Sequence, residues 1–535
     1  MAFGFHIENF GCRAARADGE AIGARLLSSG HSVQHAAEAD VVVINTCTVT
    51  AEADRQARAF IRRASRINPA AKIVVTGCYA QRAPSELAAI NGVAAVVGNS
   101  HKALVPEIVS GLMRSSNPSE ASTVLFQGTA SQLGENGLRD GVLYQGTTSV
   151  VPKESPQRIG ALAPEGSYSS RSDDFATTRP ATDSLVTIGS LNSVPTAIHH
   201  DDSFAHSFIE EAQLVPGAQT RPNLKIQEGC GNRCTFCVIP FTRGPSKSLP
   251  RASVLKQVEG FITAGGNELV LSGINLGRWG KELAEKDSFP SLVRHILTRT
   301  ALPRLRLSSI EPMDWTDELI TLMAEFGGRE PRLARHAHLP LQSGSDAVLR
   351  RMHRRYRPWH YAAKVESLVQ AAGPELTLGA DVMVGFPGET DAEFEETVAF
   401  IRALPFGYLH LFPFSPRPGT RGWELHATAP VPTEIVQERM HTLRVLARQK
   451  SVAHRTPMIG RELPAITLHT PAARGVTEAL TDNFLPVELE GSYAANQLLR
   501  ISVKALTPEG ALTACPAGLV ETAPDQFETC AQSFS

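Results

Sequence analysis

The sequence predicts an α/β protein of several domains: an open parallel α/β sheet, a partial (βα)6 barrel and a small C-terminal β-barrel. Runs of β-branched residues alternate with helical segments near the N-terminus. Six strand–helix pairs follow further along the chain, and short runs of alternating apolar and polar residues come last. At 535 residues, the chain is also longer than one hydrophobic core usually organises.

Residues 1–113 are predicted to form the open sheet. The strand runs VVVIN at 41–45 and KIVVTG at 72–77 are separated by a helical stretch from about 52 to 67, and another helix is predicted after Pro84. Continuous β-branched strands of this kind are typical of a parallel sheet that is buried on both faces.

Three cysteines, Cys12, Cys47 and Cys78, each follow a predicted strand of this sheet. Open α/β sheets bind their ligands at the C-terminal ends of parallel strands. We therefore expect the three thiols to converge on one point. The alternative is that they are buried only as small apolar side chains.

Residues 114–220 are rich in Ser, Thr, Gly, Pro and Asn and have no sustained hydrophobic periodicity. This composition predicts a disordered insertion. Because loop-closure entropy grows only with the logarithm of length, replacing a linker of about 5 residues by one of about 100 costs roughly 2–3 kcal/mol. A folded protein tolerates such an insertion.

Residues 221–452 contain the predicted partial barrel, which ends with a helix over 433–452. Six βα units are fewer than a closed barrel needs, so we expect an open barrel with catalytic groups at the C-terminal ends of its strands. The six predicted strands are LKIQE, ELVLS, RLRLS, HAHLP, LTLGADVMVG and GYLHLF.

Residues 453–521 are predicted to form the small β-barrel from the runs LPAITL, FLPVELEG and LLRISVKAL. Residues 522–535 are predicted to be a disordered tail. Cys515 and Cys530 lie outside the cysteine motifs, and we expect them to be free thiols.

Composition narrows the functional classes. A formal charge of -2 means that any nucleic-acid contact has to be local. No apolar run reaches membrane-spanning length and the N-terminus lacks the pattern of a secretion signal, so we expect a cytoplasmic protein with no membrane partner. In that reducing compartment, clustered cysteines are more often metal ligands than disulfides.

The array Cys230-Gly-Asn-Arg-Cys234-Thr-Phe-Cys237 directly follows the first predicted barrel strand. Three thiolates on one loop can hold three irons of a 4Fe-4S cluster and leave the fourth iron open. That iron can be chelated by the amino and carboxylate groups of S-adenosylmethionine (SAM). A zinc site is the alternative, although zinc normally takes four protein ligands at other spacings.

With this array and the stretches FGC12, INTC47TVT and VVTGC78YAQ, the sequence resembles the radical SAM methylthiotransferase family. The resemblance covers nearly the whole chain outside the insertion. It implies a second 4Fe-4S cluster on Cys12, Cys47 and Cys78. The family usually has an Asn three residues after the first cysteine, whereas this chain has Ala15. Because polar neighbours orient cluster ligands, this difference concerns the hydrogen bonding around the cluster.

The threonylcarbamoyladenosine tRNA branch is the most similar one. Three segments of this chain resemble that branch: INLGRWG at 274–280, SSIEP at 308–312 and HLPLQSG at 338–344. The ribosomal-protein branch usually has His in place of Ser343. The resemblance implies that Phe236 meets the adenine of SAM, with plain core packing as the alternative, and glycine turns would let the backbone approach SAM closely. The candidate SAM-binding residues are Phe236, Gly273, Ser309, Glu311, Gln342 and Gly385. Thr390 and Glu393 fit a structural capping box.

Two basic groups are candidates for RNA contact, with a merely solvated face as the alternative. Helical spacing places four arginines of the first group on one stripe, Arg55, Arg58, Arg62 and Arg66. The second group is Arg350, Arg351, Arg354, Arg355 and Arg357. Either group can bind phosphates. The C-terminal barrel resembles the TRAM domain, and its RNA role follows from that resemblance alone.

The resemblance implies that the protein adds a methylthio group to C2 of N6-threonylcarbamoyladenosine at position 37, in the tRNA anticodon loop. One SAM would methylate a sulfur at the N-terminal cluster, and a second would yield a radical that removes hydrogen from the inert C2 position. An electron donor such as flavodoxin or ferredoxin and a sulfur source are implied partners. The alternatives are isopentenyladenosine-37, a ribosomal-protein aspartate, or a non-catalytic iron–sulfur or zinc protein that binds RNA.

Overall fold

The computed structural model describes residues 2–114, 196–204, 207–209, 214, 221–470, 475–508 and 510–519. The predicted tail and Cys530 lie outside these residues, as does most of the predicted insertion. Among the described residues, no helix combines the length and the apolar composition that crossing a bilayer requires.

The N-terminal domain is a six-stranded, fully parallel sheet with the strand order β2-β1-β3-β4-β5-β6. Its central strands are almost completely buried, which explains their uninterrupted apolar sequences. The strands are β1 Gly4–Asn9, β2 Ser32–Val33, β3 Val41–Thr46, β4 Lys72–Gly77, β5 Val93–Gly98 and β6 Ala197–His199. The helices are α1 Arg13–Ser28, α2 Ala51–Ile67, α3 Cys78–Arg82, α4 Pro84–Ala88 and α5 Val105–Arg114.

The last strand of this sheet differs from the sequence prediction. Strand β6 lies within residues 114–220, which the composition assigns to the insertion, yet Ala197 and His199 pair with Ala95 and Val97 of β5. A strand of three residues is too short to give a detectable alternation, so sequence periodicity could not reveal it. The sheet is therefore completed by a segment that is distant along the chain.

The second domain is the open barrel that the sequence predicts. Strands β11-β10-β7 and β12-β13-β14 form two parallel three-stranded sheets, and a single bridge between Leu305 and Leu333 links them. The strands are β7 Asn223–Lys225, β10 Glu268–Ser272, β11 Arg304–Leu307, β12 His336–His338, β13 Thr377–Val384 and β14 Phe406–Pro413. A short antiparallel pair, β8 Gln227–Glu228 and β9 Lys247–Ser248, lies beside β7 along the chain.

Helices cover the outside of this barrel and bury its main apolar core. Leu271, Leu305 and Leu378 belong to this core together with Trp279 and Trp315. The alternate residues of the strands face the inside of the barrel and are largely polar. The helices are α6 Ile239–Arg243, α7 Arg251–Thr263, α8 Phe289–Arg299, α9 Asp317–Phe326, α10 Asp346–Arg351, α11 Pro358–Ala372, α12 Asp391–Ala403, α13 Arg421–Thr428 and α14 Thr433–Arg455.

The third domain is a closed five-stranded barrel of order β15-β16-β17-β19-β18, as the sequence predicts. Its strands are β15 Glu462–Thr467, β16 Val476–Thr481, β17 Pro486–Glu490, β18 Leu498–Leu506 and β19 Leu512–Leu519. The third domain packs against the N-terminal ends of strands β10 and β11 of the open barrel. Arg306 donates to Glu268 Oε1 (2.8 Å) and, across the domain boundary, to the carbonyl oxygens of Asp482 (3.0 Å) and Thr481 (3.1 Å). The opposite, C-terminal ends of the strands are left for the functional site.

Candidate metal centres

The structure places the three N-terminal cysteines at the C-terminal ends of neighbouring strands, as expected. Cys12 is the residue before α1, Cys47 directly follows β3, and Cys78 begins α3 directly after β4. Cys47 and Cys78 are buried and Cys12 is exposed. The fold thus presents a partly open three-thiol site.

Close packing and electrostatics both indicate that these thiols face one another. A methyl group built on Gly11 would lie only 2.4 Å from Cys47 Cβ, so the Cys12 turn passes directly over Cys47. Burial, followed by the charges of Cys78 and Cys12, raises the pKa of Cys47 to about 12. A thiol in this state loses its proton at neutral pH only when a metal takes the proton's place.

Two polar groups that the sequence analysis missed bind the sulfur of Cys78. Asn99 Nδ2 donates to Cys78 Sγ at 3.3 Å and Arg243 Nε donates at 3.2 Å. Where the family pattern expects Asn, the backbone carbonyl of Ala15 accepts a hydrogen bond from Asn45. The polar surroundings of this site thus come partly from the barrel domain, through Arg243.

The second three-thiol site lies on the loop between β8 and α6. Asn232 N and Asn275 Nδ2 approach Cys230 Sγ at 3.4 and 3.5 Å, and Arg354 Nη1 donates to Cys234 Sγ at 3.2 Å. Burial, reinforced by the charges of Cys234 and its neighbour Cys230, raises the pKa of Cys237 to about 12. The Cys237 thiol therefore also needs a metal to be ionised at neutral pH.

Thiol spacing distinguishes a cluster from a single zinc ion. Sulfur ligands at about 2.3 Å from one tetrahedral zinc lie about 3.8 Å apart. In the described part of the chain, the only His, Cys, Asp or Glu group with three ligand atoms all within 4.8 Å is His338, Asp381 and His410. Both cysteine sets are therefore more open than a zinc site, as suits a multi-iron cluster that separates its ligands.

The candidate SAM residues lie around the second cysteine site. Phe236 is half-buried against a cluster that includes Met352, Met383 and Phe386. Gly385 has a φ of +76°, in the left-handed region that favours glycine, and its amide donates to Glu389. Phe236 thus packs on an apolar cluster next to the second cysteine site, and Gly385 stands at a turn that requires a positive φ.

Gly273, Ser309 and Glu311 are each half-buried and have close protein neighbours. A methyl group on Gly273 would lie 3.0 Å from Gln227 Cβ. The Glu311 carboxylate forms an ion pair with Arg354. Glu311 therefore contacts the arginine that donates to Cys234 Sγ.

Three buried acceptors at the ends of consecutive barrel strands have no hydrogen-bond partner among the described residues: Asn275 Oδ1, Ser308 Oγ and Gln342 Oε1. A buried acceptor without a partner costs about 1–3 kcal/mol. A bound ligand with N–H and O–H donors, such as SAM, would remove this cost. Ser308, next to the predicted Ser309, and Asn275 were not assigned from sequence.

The first arginine group forms the stripe that its spacing predicts, but its members differ. Arg62 and Arg66 are exposed on α2, and Arg55 is exposed but paired with Glu52. Arg58 is half-buried and donates to the hydroxyl of Tyr79. Only the exposed members are free to meet a phosphate.

The second arginine group is mainly structural. Arg350 and Arg357 pair with Asp346, and Arg351 pairs with Glu393. Arg354 is buried on Cys234, which leaves Arg355 as an exposed member. Thr390 and Glu393 form the predicted capping box at the start of α12.

A continuous polar chain runs through the inside of the barrel on β12, β13 and β14, and the sequence analysis did not find it. His336 Nε2 and His338 Nδ1 lie 2.8 and 3.0 Å from the Tyr408 hydroxyl. His338 Nε2 lies 3.1 Å from Asp381 Oδ2, and Asp381 Oδ1 lies 3.3 Å from His410 Nδ1. Three histidines, a hydroxyl and a carboxylate on three separate strands can be linked only by the fold, so no local motif signals them.

Residues 4–98 match an uncharacterized protein family, UPF0004, and residues 224–401 match the radical SAM superfamily. These two segments contain both three-cysteine sites.

Curated relatives cover nearly the whole chain. It is 31% identical over 91% of its length to the threonylcarbamoyladenosine tRNA methylthiotransferase MtaB of Bacillus subtilis (strain 168), of which it covers 90%. It is 32% identical over 95% of its length to the MtaB of Treponema pallidum (strain Nichols), of which it covers 99%. A tRNA-2-methylthio-N(6)-dimethylallyladenosine synthase of Cereibacter sphaeroides (strain ATCC 17023) is 34% identical over 60% of this chain and 71% of the relative.

Proposed function

The chain belongs to the radical SAM methylthiotransferase family, and we propose that it adds a methylthio group to C2 of N6-threonylcarbamoyladenosine at position 37 of tRNA. The observation that carries this proposal is the pair of three-thiol sites, one at the C-terminal ends of the N-terminal sheet strands and one in the open barrel. Arg243 of the barrel links the two sites by donating to Cys78 of the N-terminal domain. One site alone would serve a reductive cleavage of SAM, whereas adding sulfur to carbon calls for a second, sulfur-holding site.

Each cysteine set is fitted to hold a 4Fe-4S cluster with one iron left free of protein ligands, because each supplies three thiols. Together with SAM, the cluster at Cys230, Cys234 and Cys237 supplies the one-electron chemistry that the inert C2–H bond of adenine requires. The protein holds these ligands in place. Arg354 and Asn275 donate toward the thiols of this loop, and Gln342 leaves a buried acceptor open beside it.

The share of this chain that its relatives match favours threonylcarbamoyladenosine as the substrate. The MtaB relatives extend over all three domains, whereas the dimethylallyladenosine synthase matches 60% of the chain. Isopentenyladenosine-37 is therefore the second candidate substrate.

The exposed arginines Arg62 and Arg66 on α2, together with the C-terminal barrel, are proposed to contact the tRNA. The target adenosine lies in a single-stranded loop, so it costs less to extrude than a base in a duplex. A low-potential donor such as flavodoxin or ferredoxin and a sulfur source complete the reaction. A cytoplasmic location is part of the same proposal, because tRNA and such a donor would meet the protein there.

Nucleoside analysis tests the substrate directly. Anaerobically reconstituted protein, SAM and dithionite would be incubated in parallel with three tRNAs that carry threonylcarbamoyladenosine, isopentenyladenosine or plain adenosine at position 37. Digestion and mass spectrometry should find the 2-methylthio product with the first tRNA. Product with the isopentenyl tRNA alone would assign the protein to the other branch, and no product with any of them would refute the proposal.

A further inference from the structure

Arg243 lies where the barrel meets the N-terminal cysteine site, and its side chain is completely buried. It is the last residue of α6, which begins two positions after Cys237. Its Nε donates to Cys78 Sγ at 3.2 Å, so a residue adjoining one cysteine loop binds a thiol of the other site. The two sites are therefore connected by one side chain.

The surroundings of Arg243 form a buried charge cluster between the domains. Its Nη1 donates to Asp18 Oδ2 at 3.0 Å and to Glu228 Oε1 at 2.6 Å, and Lys102 and Lys225 pair with the same two carboxylates. Glu228 stands two residues before Cys230, and Asp18 lies on α1, which begins after Cys12. These buried ion pairs therefore connect the beginning of each cysteine loop to the other domain.

Among its Lys, Arg, Asp and Glu side chains, the buried charge cluster has one more cation than anions. Three cations, Lys102, Lys225 and Arg243, surround two anions, Asp18 and Glu228. An uncompensated buried charge is costly, typically several kcal/mol, so this surplus favours anionic sulfur at the cysteine site. The edge of Arg243 that faces Cys78 is where such sulfur, the Cys78 thiolate itself or a sulfide beside it, lies within reach.

The guanidinium has one donor still available on that edge. Nε and Nη2 form one side of the planar fork, and Nε is already bonded to Cys78 Sγ. Nη2 is buried and has no hydrogen-bond partner among the described residues. On this edge of the guanidinium, Nε donates to Cys78 Sγ and the parallel N–H of Nη2 is unused. This arrangement fits a second anionic acceptor directly beside that sulfur.

We propose that Arg243 is a positioning residue that binds an inorganic sulfur anion beside Cys78 and thereby makes the N-terminal cluster easier to reduce. The inference rests on the proposed function only in that this site holds a cluster. Nη2 donates to sulfide, either a sulfide of the cluster itself or sulfide added from solution and bound at the free iron. Hydrogen bonds and positive charge at cluster sulfurs favour the more negative, reduced state, which raises the reduction potential.

The experiment isolates the N-terminal cluster in a chain that carries Cys230→Ala, Cys234→Ala and Cys237→Ala. This parent and its variants R243M and R243K are reconstituted anaerobically with iron and sulfide. Dithionite titrations followed by electron paramagnetic resonance then give the midpoint potential. R306K is the matched control, because Arg306 is equally buried and paired with a buried carboxylate, Glu268, but contacts no cysteine.

R243M should make reduction at least tenfold less favourable, equivalent to about 59 mV for a one-electron couple. R243K keeps the charge without the fork. Its potential should lie between those of R243M and the parent if Nη2 binds cluster sulfide, and should equal the parent's before sulfide is added if Nη2 binds added sulfide, while R306K should match the parent throughout. If R243M fails to fold, the R243K potential and its spectral response to added sulfide decide together. Equal potentials and equal sulfide responses in all folded variants would overturn the inference and leave the proposed function standing, whereas a parent without iron would overturn both.

Titrating added sodium sulfide separates the two sources of the sulfur anion. If Arg243 binds cluster sulfide, the potential of R243K differs from that of the parent without any addition. If Arg243 binds the added sulfide, R243K and the parent have equal midpoint potentials before sulfide is added. At low sulfide concentration, only the electron paramagnetic resonance spectrum of the parent then changes. Identical responses of R243K and the parent in both arms would overturn the role of Nη2.

Discussion

The substitution Gly11→Ala tests the convergence of the N-terminal thiols without removing any of them. Gly11 has a φ of +103°, and the new methyl group would lie 2.4 Å from Cys47 Cβ and 2.8 Å from Cys47 Sγ. Backbone strain alone costs about 1–3 kcal/mol. Relief of the contact requires the Cys12 turn and Cys47 to separate by about 1 Å, whereas metal–ligand distances vary by only about 0.2 Å.

We therefore expect G11A to lose the N-terminal cluster and keep the other one. Iron and acid-labile sulfide would be measured after anaerobic reconstitution, and iron should fall from about eight to about four atoms per chain. G231A is the control at the other site, because Gly231 directly follows Cys230, as Gly11 directly precedes Cys12, but a methyl group there meets no atom within 4 Å. A G11A protein with full iron content would refute the convergence of Cys12 and Cys47.

Three further predictions concern RNA contact and stability. The double variant R62A/R66A should weaken tRNA binding and lower the slope of log affinity against log salt by about 1 to 2, whereas Arg299→Ala on α8 should change neither; equal slopes would exclude this stripe from the interface. Burial alone would raise the pKa of Glu268, but the neighbouring arginines outweigh it and hold the pKa at about 2, below its ordinary 4.5, so stability is lost as the pH falls from 4.5 toward 2. The difference in urea midpoint between the natural chain and E268Q should therefore shrink over that range, and a constant difference would contradict the ion pairing. T390A removes the hydroxyl of a complete capping box and should cost about 1 kcal/mol in urea denaturation, with no loss of iron.

Local sequence patterns predict most of the fold and the positions of the cysteines. The runs at 41–45 and 72–77 are strands because uninterrupted β-branched residues suit a sheet buried on both faces, and Cys47 and Cys78 follow them directly. The six barrel strands are found because short apolar or alternating runs occur in turn with helical segments. The periodicity of these elements is contained within each segment, so one sequence is enough to detect it.

The groups that surround the thiols could not be predicted, because they come from residues far apart along the chain. Arg243 and Cys78 are separated by 165 positions, and Arg354 and Cys234 by 120. Neither arginine differs in local pattern from the exposed Arg62. Strand β6 escaped prediction for a related reason, since its three residues gain their stability from pairing with β5 and not from their own sequence.

The most direct test of the account compares the natural chain with the Cys230→Ala, Cys234→Ala, Cys237→Ala variant under reducing, anaerobic conditions with SAM and tRNA. The natural chain should release 5′-deoxyadenosine and form the 2-methylthio nucleoside. The variant should do neither, yet keep the iron bound by Cys12, Cys47 and Cys78. Undiminished product from the variant, or a natural chain that binds tRNA but never cleaves SAM, would contradict the central claim.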